Sequence, residues 1–378
     1  MPMQKLHIPL YKAFLNVEME SNALNVLRSG SIAVGKYSNE FVSGFRSLVG
    51  NLNVVPTSDM SYAIQIALRL SGVAEGDDVL TTPFACMATN APIAAIGAKP
   101  AWVDVDSRTG TMDPESLRRS ITSKSKALIL YHFAGYPAQV EEIAKICLEK
   151  GIPLIEDCNN ALLARVGNQQ VGSWGRYSIY SFYPNRQINA TEGGALVTSI
   201  LEDANRALKL RRYGVDSENF RLTNGEINPN SDIKEIGWAA TFNNLCSSIG
   251  VAQISSVAER VERTRINAQF LDQVCLGLNC LTPVEVGKNV HPSYWVYLVR
   301  TKHSRDLMKF LDVRGIKSSK VHYPNHFYAG FGIGIPGLRG CNQFYEEVLA
   351  LPCGWWLEES DLQFIAASLE SFEVIQCR

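Results

Sequence analysis

The feature that most constrains this chain is an alternation that runs from about residue 50 to residue 200. Short apolar runs are followed by turns and then by amphipathic stretches with helical spacing, again and again. NLNVVP, DDVLTTP, PAWVDV, KALILYHF, IPLIEDC, SIYSF and GGALVTS read as seven strands. SYAIQIALRLSG, MATNAPIAAIGA and QVEEIAKICLEKG read as helices between them. Strands alternating with helices predict a mostly parallel sheet covered on both faces, an α/β architecture. After Gly250 the texture changes. VAQISSVAERVERTRINAQFLDQV has the three-and-four apolar spacing of one long helix, followed by the strand YWVYLVRT, the helix SRDLMKFLDVRG, the strand-like IKSSKVHY, a loop-rich stretch over 324–345 and a last helix after Trp356. With 378 residues the chain can build two cores. The expected division is a large domain over 1–254 and a smaller α+β domain over 255–378.

Composition removes several function classes. Thirty-six basic and 37 acidic residues leave a formal charge of -1, so neither a nucleic-acid nor a membrane-surface partner is expected. The nine cysteines are scattered, with no CxxC pair, and read as reduced thiols of a cytoplasmic protein without a metal centre. MPMQKLHIPL lacks the pattern of a signal peptide, and no apolar run reaches the ~20 residues of a membrane span.

In an open parallel sheet, ligands bind beyond the carboxyl ends of the strands. In TSDMS, Ser58 or Asp59 can cap the helix that begins near Met60 and Ser61. The amino end of that helix reads either as an anion site or as a plain N-cap. Pro83–Cys86 lies beyond the second strand. Asp157, in IPLIEDCNNA, can bond a protonated ring nitrogen of a cofactor, bind a metal or cap the next helix. Ser181 opens SFYPNRQINATEGGAL, a tight loop closed by Gly193 and Gly194.

Taken in order, these segments resemble the DegT/StrS-type sugar aminotransferases through nearly the whole chain, from IPLYKAF to LPCGWWL. VVPTSDMSYAIQIAL, GDDVLTTPFACMATNAPI, ALILYHFAGYPAQVEEI, IEDCNNA and SFYPNRQINATEGG match five family elements in the family's order. The resemblance implies the aspartate-aminotransferase fold (the type I fold of pyridoxal-phosphate enzymes), a homodimer with shared active sites, and pyridoxal 5′-phosphate as cofactor. It implies that Asp157 pairs with the pyridine nitrogen and that Asn160 lies near the ring hydroxyl. It also implies that Ser181, Met60 and Ser61 hold the phosphate beside Asp59, with Cys86 where many members stack an aromatic ring. VHYPNHFYAGF falls where members contact substrate, so His322, Asn325 and His326 are candidate substrate residues. The alternative is a loop packed on the domain interface.

The sequence departs from the family at several of these places. Met60 stands for the usual Gly and Ser61 for Thr. In GWAATFNN, Ala239 falls on the Asn that reaches the cofactor from the partner subunit, leaving Asn243 or Asn244 as substitutes. Arg186 stands at the position of the lysine that binds the cofactor covalently. A lysine amine can lose its proton, attack an aldehyde and shuttle a proton; a guanidinium, with a pKa above ~12 and delocalised lone pairs, cannot. The catalytic position is thus Arg186, read either as a Lys→Arg exchange on a working site or as a natural loss. The otherwise ordinary YPNxQ…EGG surroundings favour the exchange. The expected activity is transamination of a keto-sugar, nucleotide-linked or an octulosonate-type acid, with glutamate as donor, in cell-surface polysaccharide or lipopolysaccharide sugar biosynthesis. This copy is expected to be inactive or trapped. The rivals are a sugar 3-dehydratase of the same fold and a non-catalytic regulatory protein that binds the cofactor or a sugar.

Overall fold

The structure is a computed structural model that describes residues 7–332 and 337–376. The elements of the first part are α1 Val17–Ser29, α2 Lys36–Val49, β1 Val54–Thr57, α3 Met60–Leu70, β2 Asp78–Thr81, α4 Met87–Ala95, β3 Lys99–Trp102, α5 Pro114–Ser120, β4 Ser125–Tyr131, α6 Val140–Lys150, β5 Leu154–Asp157, β6 Arg165–Val166, β7 Gln169–Gln170, β8 Tyr177–Ser181, β9 Gly194–Val197, α7 Leu201–Leu210 and α8 Asn244–Val251. The second part holds α9 Val257–Leu276, β10 Thr282–Pro283, β11 Val290–His291, β12 Tyr297–Arg300, α10 Ser304–Val313, α11 Arg339–Glu347, β13 Val348–Leu351 and α12 Glu359–Gln376. No helix among the described residues is long and apolar enough to cross a membrane.

The seven long strands form one sheet in the order β1-β9-β8-β5-β4-β2-β3. Only β9 runs against its neighbours; the other six point the same way. The pleat sends successive residues to opposite faces. Val55, Val79, Ala127, Ile129, Ile155 and Ile179 pack on one face, beneath α3, α4 and α7. Leu80, Leu128, Leu130 and Leu154 pack on the other against α5 and α6, while Val54, Tyr180 and Val197 meet Phe41 and Phe45 of α2. Both faces are apolar, which is why these strands read as continuous hydrophobic runs.

The second core surrounds the antiparallel sheet β10-β12-β13, with α9, α10 and α12 packed on it. Ile8 is part of this core although it lies near the start of the chain. It forms a parallel bridge with Ile316, and its amide and carbonyl bond Gly315 O and Lys317 N at 2.9 Å each. The stretch expected as one long helix from Val251 is interrupted between α8 and α9. Between the two helices the side chain of Gln253 bonds both the amide and the carbonyl of Asn189. IKSSKVHY, expected as strand-like, makes single bridges at Ile316 and Ser319 and no ladder.

Phe41 fixes the end of β8. It is fully buried, edge-on to Phe182 at 5.0 Å and next to Phe45 and Phe242 at 5.8 and 5.3 Å. Phe41→Ala is expected to destabilise the protein by about 3–5 kcal/mol, read as a lower urea midpoint. A loss below about 1 kcal/mol would show that the aromatic cluster does not hold β8.

Candidate active site

The strand ends expected to carry chemistry meet at one edge of the sheet. Tyr131, Asp157 and Ser181 end the neighbouring strands β4, β5 and β8, and Gly194 pairs with Thr57 on one side and Ser181 on the other. Asp157 is fully buried. It accepts hydrogen bonds from Thr89 Oγ1 at 2.7 Å, Asn159 N at 3.1 Å and Asn159 Nδ2 at 2.9 Å. Burial pushes its carboxyl up from the ordinary carboxylate value; these bonds and the charge of Arg186 oppose the shift without cancelling it. Thr89 reaches Asp157 because α4 begins just beyond β2, with Cys86 as its N-cap.

Glu156 takes the opposite side of the pleat. Its oxygens accept from Gly172 N, Trp174 N and Gly175 N at 2.7, 2.8 and 2.6 Å, and His132 Nε2 lies 3.1 Å away. His132 Nδ1 accepts the Ala138 amide, so Nε2 carries the proton and donates to Glu156. His132, Glu156 and Cys158 lie close enough together to suggest a metal site. However, no ring lone pair on His132 remains for an ion, and Glu156 is saturated with donors.

A second chain of contacts crosses from the sheet to the smaller part of the molecule. Asn160 Nδ2 donates to Tyr131 Oη at 3.0 Å, and Tyr131 Oη lies 3.2 Å from His322 Nε2. Burial, then the charge of Arg186, pushes His322 down to about 3, so it is neutral and can accept the phenol proton. Burial holds Tyr131 well above the ordinary phenol value. The direction of the relay is therefore Asn160 to Tyr131 to His322. Arg186 sits among these groups. Its charge acts on Asp157, Cys86, Tyr131 and His322, its Nη1 donates to Asn185 Oδ1 at 2.7 Å, and its guanidinium lies 5.3 Å from the Trp295 ring.

The other end of the edge is the start of α3. Asp59 caps it through a 2.6 Å bond from Ser61 N to Asp59 Oδ1, and Thr57 Oγ1 donates to the Asp59 carbonyl at 2.8 Å. The Ser61 amide, expected to face a phosphate, is thus taken by the chain's own carboxylate. The Met60 side chain is buried in the core. Gly194 is pressed against this turn: a Cβ there would fall 2.6 Å from Met60 Cα, so no other residue fits. Ser181 Oγ is 3.4 Å from the Tyr183 amide.

The remaining expected residues separate. Cys86 stays near the centre, its Sγ 3.5 Å from Thr89 Oγ1 and its thiol pushed up by burial and then by Asp157. Asn325 is a clasp between the two parts of the molecule: its Oδ1 accepts from Asn90 at 2.8 Å, and its Nδ2 donates to Ala85 O and Tyr323 O. Both ends of its side-chain amide are thus engaged across the interface. His326 is buried beside Phe327, at a ring distance of 4.0 Å. Asn243 caps α8, and Asn244 bonds Ser38 N and Ser31 O, so both proposed substitutes for the missing Asn at Ala239 are occupied within this chain. Lys209 is paired with Asp216 at 2.8 Å. Sequence reasoning singled out neither Thr89 nor Tyr131. Tyr131 could have been found as the polar tip of an apolar strand ending at the ligand-binding edge.

A family model for the DegT/DnrJ/EryC1/StrS aminotransferases matches residues 15–370. The chain belongs to that family. It is 29% identical to the pleiotropic regulatory protein of Geobacillus stearothermophilus, over 92% of each chain. It is 27% identical to GDP-perosamine synthase of Vibrio cholerae, over 84% of this chain and 86% of the synthase. The sugar aminotransferase CalS13 of Micromonospora echinospora is 26% identical and superposes with a TM-score of 0.91, covering 96% of this chain and 99% of its own.

The DegT/DnrJ/EryC1/StrS aminotransferases are pyridoxal-phosphate-dependent, and the cofactor's ring fits one end of this site. Asp157 offers a buried carboxylate for a ring nitrogen, and among the described residues Asn160 Oδ1 is a buried acceptor without a partner. Arg186, expected at the attachment position, and the capped start of α3 fit less well.

Keeping Asp157 ionised has a stability cost. Its folded carboxyl titrates above the ordinary 3.8. The native state therefore retains a proton that the unfolded chain releases, and stability falls as pH rises through that window. Asp157→Asn is expected to raise the thermal midpoint at pH 7.5, with the gain shrinking as pH approaches 4. A lower midpoint for the variant at pH 7.5 would mean that the three hydrogen bonds outweigh the burial.

Proposed function

We propose that this chain is the scaffold of a keto-sugar aminotransferase, with glutamate as amino donor, serving amino-sugar synthesis for a cell-surface polysaccharide or lipopolysaccharide. The acceptor is a nucleotide-linked keto-sugar or a keto-sugar acid. The observation that carries the reading is the buried Asp157, held by Thr89 and Asn159 at the strand-end edge of a fold shared with sugar aminotransferases. Asp157 would hold the ring nitrogen of pyridoxal phosphate, with Asn160 and Tyr131 beside the ring. The bound cofactor would supply an electron sink that lets an amino group be exchanged.

What the chain's own residues do follows from their charge states. Asp157 presents a carboxylate, Tyr131 keeps its proton, and neutral His322 accepts it in a hydrogen bond. Arg186 is a fixed cation held by Asn185 and Trp295, and it can orient an anionic group but cannot take up and return a proton. The proton-transfer step of transamination would therefore lack its residue, and this chain would be impaired at that step. The 3-dehydratase reading needs a base at the same position and shares this defect. A regulatory, non-catalytic role is the second reading. It is favoured by Arg186 and by the likeness to a pleiotropic regulatory protein. We further propose a cytoplasmic homodimer.

Arg186→Lys tests the reading. After borohydride reduction, mass spectrometry should find pyridoxal phosphate fixed to residue 186, and the variant should aminate at least one keto-sugar with glutamate. Covalent capture of the cofactor without amination across a broad panel of nucleotide-linked and acidic keto-sugars would support the regulatory reading instead.

A further inference from the structure

An uncovered helix start at a sheet edge is ordinarily an anion site, because its N–H groups are free and its dipole end is positive. The start of α3 occupies that position here, beside Gly194 and one strand away from Ser181. Two observations change its character. The Asp59 carboxylate already accepts the Ser61 amide at 2.6 Å. Glu192, an exposed residue two before Gly194, has its carboxyl pushed up by partial burial and then by the charge of Asp59, which puts a second acidic group within electrostatic reach of that residue.

We propose that Asp59 is a specificity residue that removes this site's preference for a phosphate, so that the chain recognises a pyridoxal-type ligand by its ring and not by its 5′-phosphate. The inference rests on the reading of the ring end as a cofactor site. A dianion approaching α3 meets a filled amide and a like charge, whereas the ring end keeps Asp157, Asn160 and Tyr131. The departure at Arg186 then has company. The covalent anchor and the phosphate anchor are both altered in one chain, and what remains is a site for a loosely held ring.

The test compares pyridoxamine with pyridoxamine 5′-phosphate, neither of which can attach covalently, by titration calorimetry on the full-length protein. The two are expected to bind within about threefold of each other. Asp59→Ser keeps an N-capping hydroxyl and Asp59→Asn keeps the shape of the side chain, and both remove the charge. Each should shift the ratio by about tenfold or more toward the phosphorylated ligand, the size expected for removing a like charge at a helix start. A native protein that already prefers the phosphate by tenfold or more, with a ratio that neither variant changes, overturns the proposal. The cofactor reading fails separately: neither ligand would then bind to any of these proteins, and Arg186→Lys would capture no pyridoxal phosphate.

Discussion

Covering the sheet on both faces is the constraint from which the rest of the molecule follows. Leu128 and Leu130 point one way and Ala127 and Ile129 the other, and helices bury each set. With no wet face, polar chemistry has one place to go, the ends of the strands. Six of the seven strands share a direction, so their carboxyl ends gather Thr57, Thr81, Tyr131, Asp157 and Ser181 along one edge. The helices that follow several of these strands bring Asp59, Cys86 and Thr89 to the same edge. The second core closes over it with His322 and Asn325, and the clasp from Asn325 to Asn90 holds the two sides together.

The strands and the edge were legible in the sequence because buried strands announce themselves as unbroken apolar runs. Asp157 was legible for the same reason, as an acidic interruption at the end of one. Partners remote in sequence left no such trace. Thr89 meets Asp157 across 68 positions and Tyr131 meets His322 across 191, and only the packed fold defines those pairs. At the break before α9 one glutamine side chain reaches the backbone of Asn189, while the local apolar spacing continues unbroken. Asn325 looked like a substrate residue because it lies in a polar loop near the site. Its bonds show that a polar loop can also be what holds two cores together.

The charges of the site form a coherent set. A fixed cation at Arg186 lies among Asp157, Cys86, Tyr131 and His322, and it moves the titration of all four. The same field that partly relieves the buried Asp157 helps to hold His322 neutral. At the other end the Asp59 carboxylate caps the start of α3, and burial and then the charge of Asp59 push the Glu192 carboxyl up. Thr191, between the two ends, holds a left-handed backbone with φ 68°, which a β-branched residue rarely adopts.

The bridge between Ile8 and Ile316 ties almost the first described residue to a strand-like segment about three hundred positions away. A ribosome releases Ile8 long before Gly315 and Lys317 exist to receive it. The segment can make these bonds only once Gly315 and Lys317 have been made. The bridge at Ile8 thus acts as a latch whose closure requires that synthesis has passed residue 317.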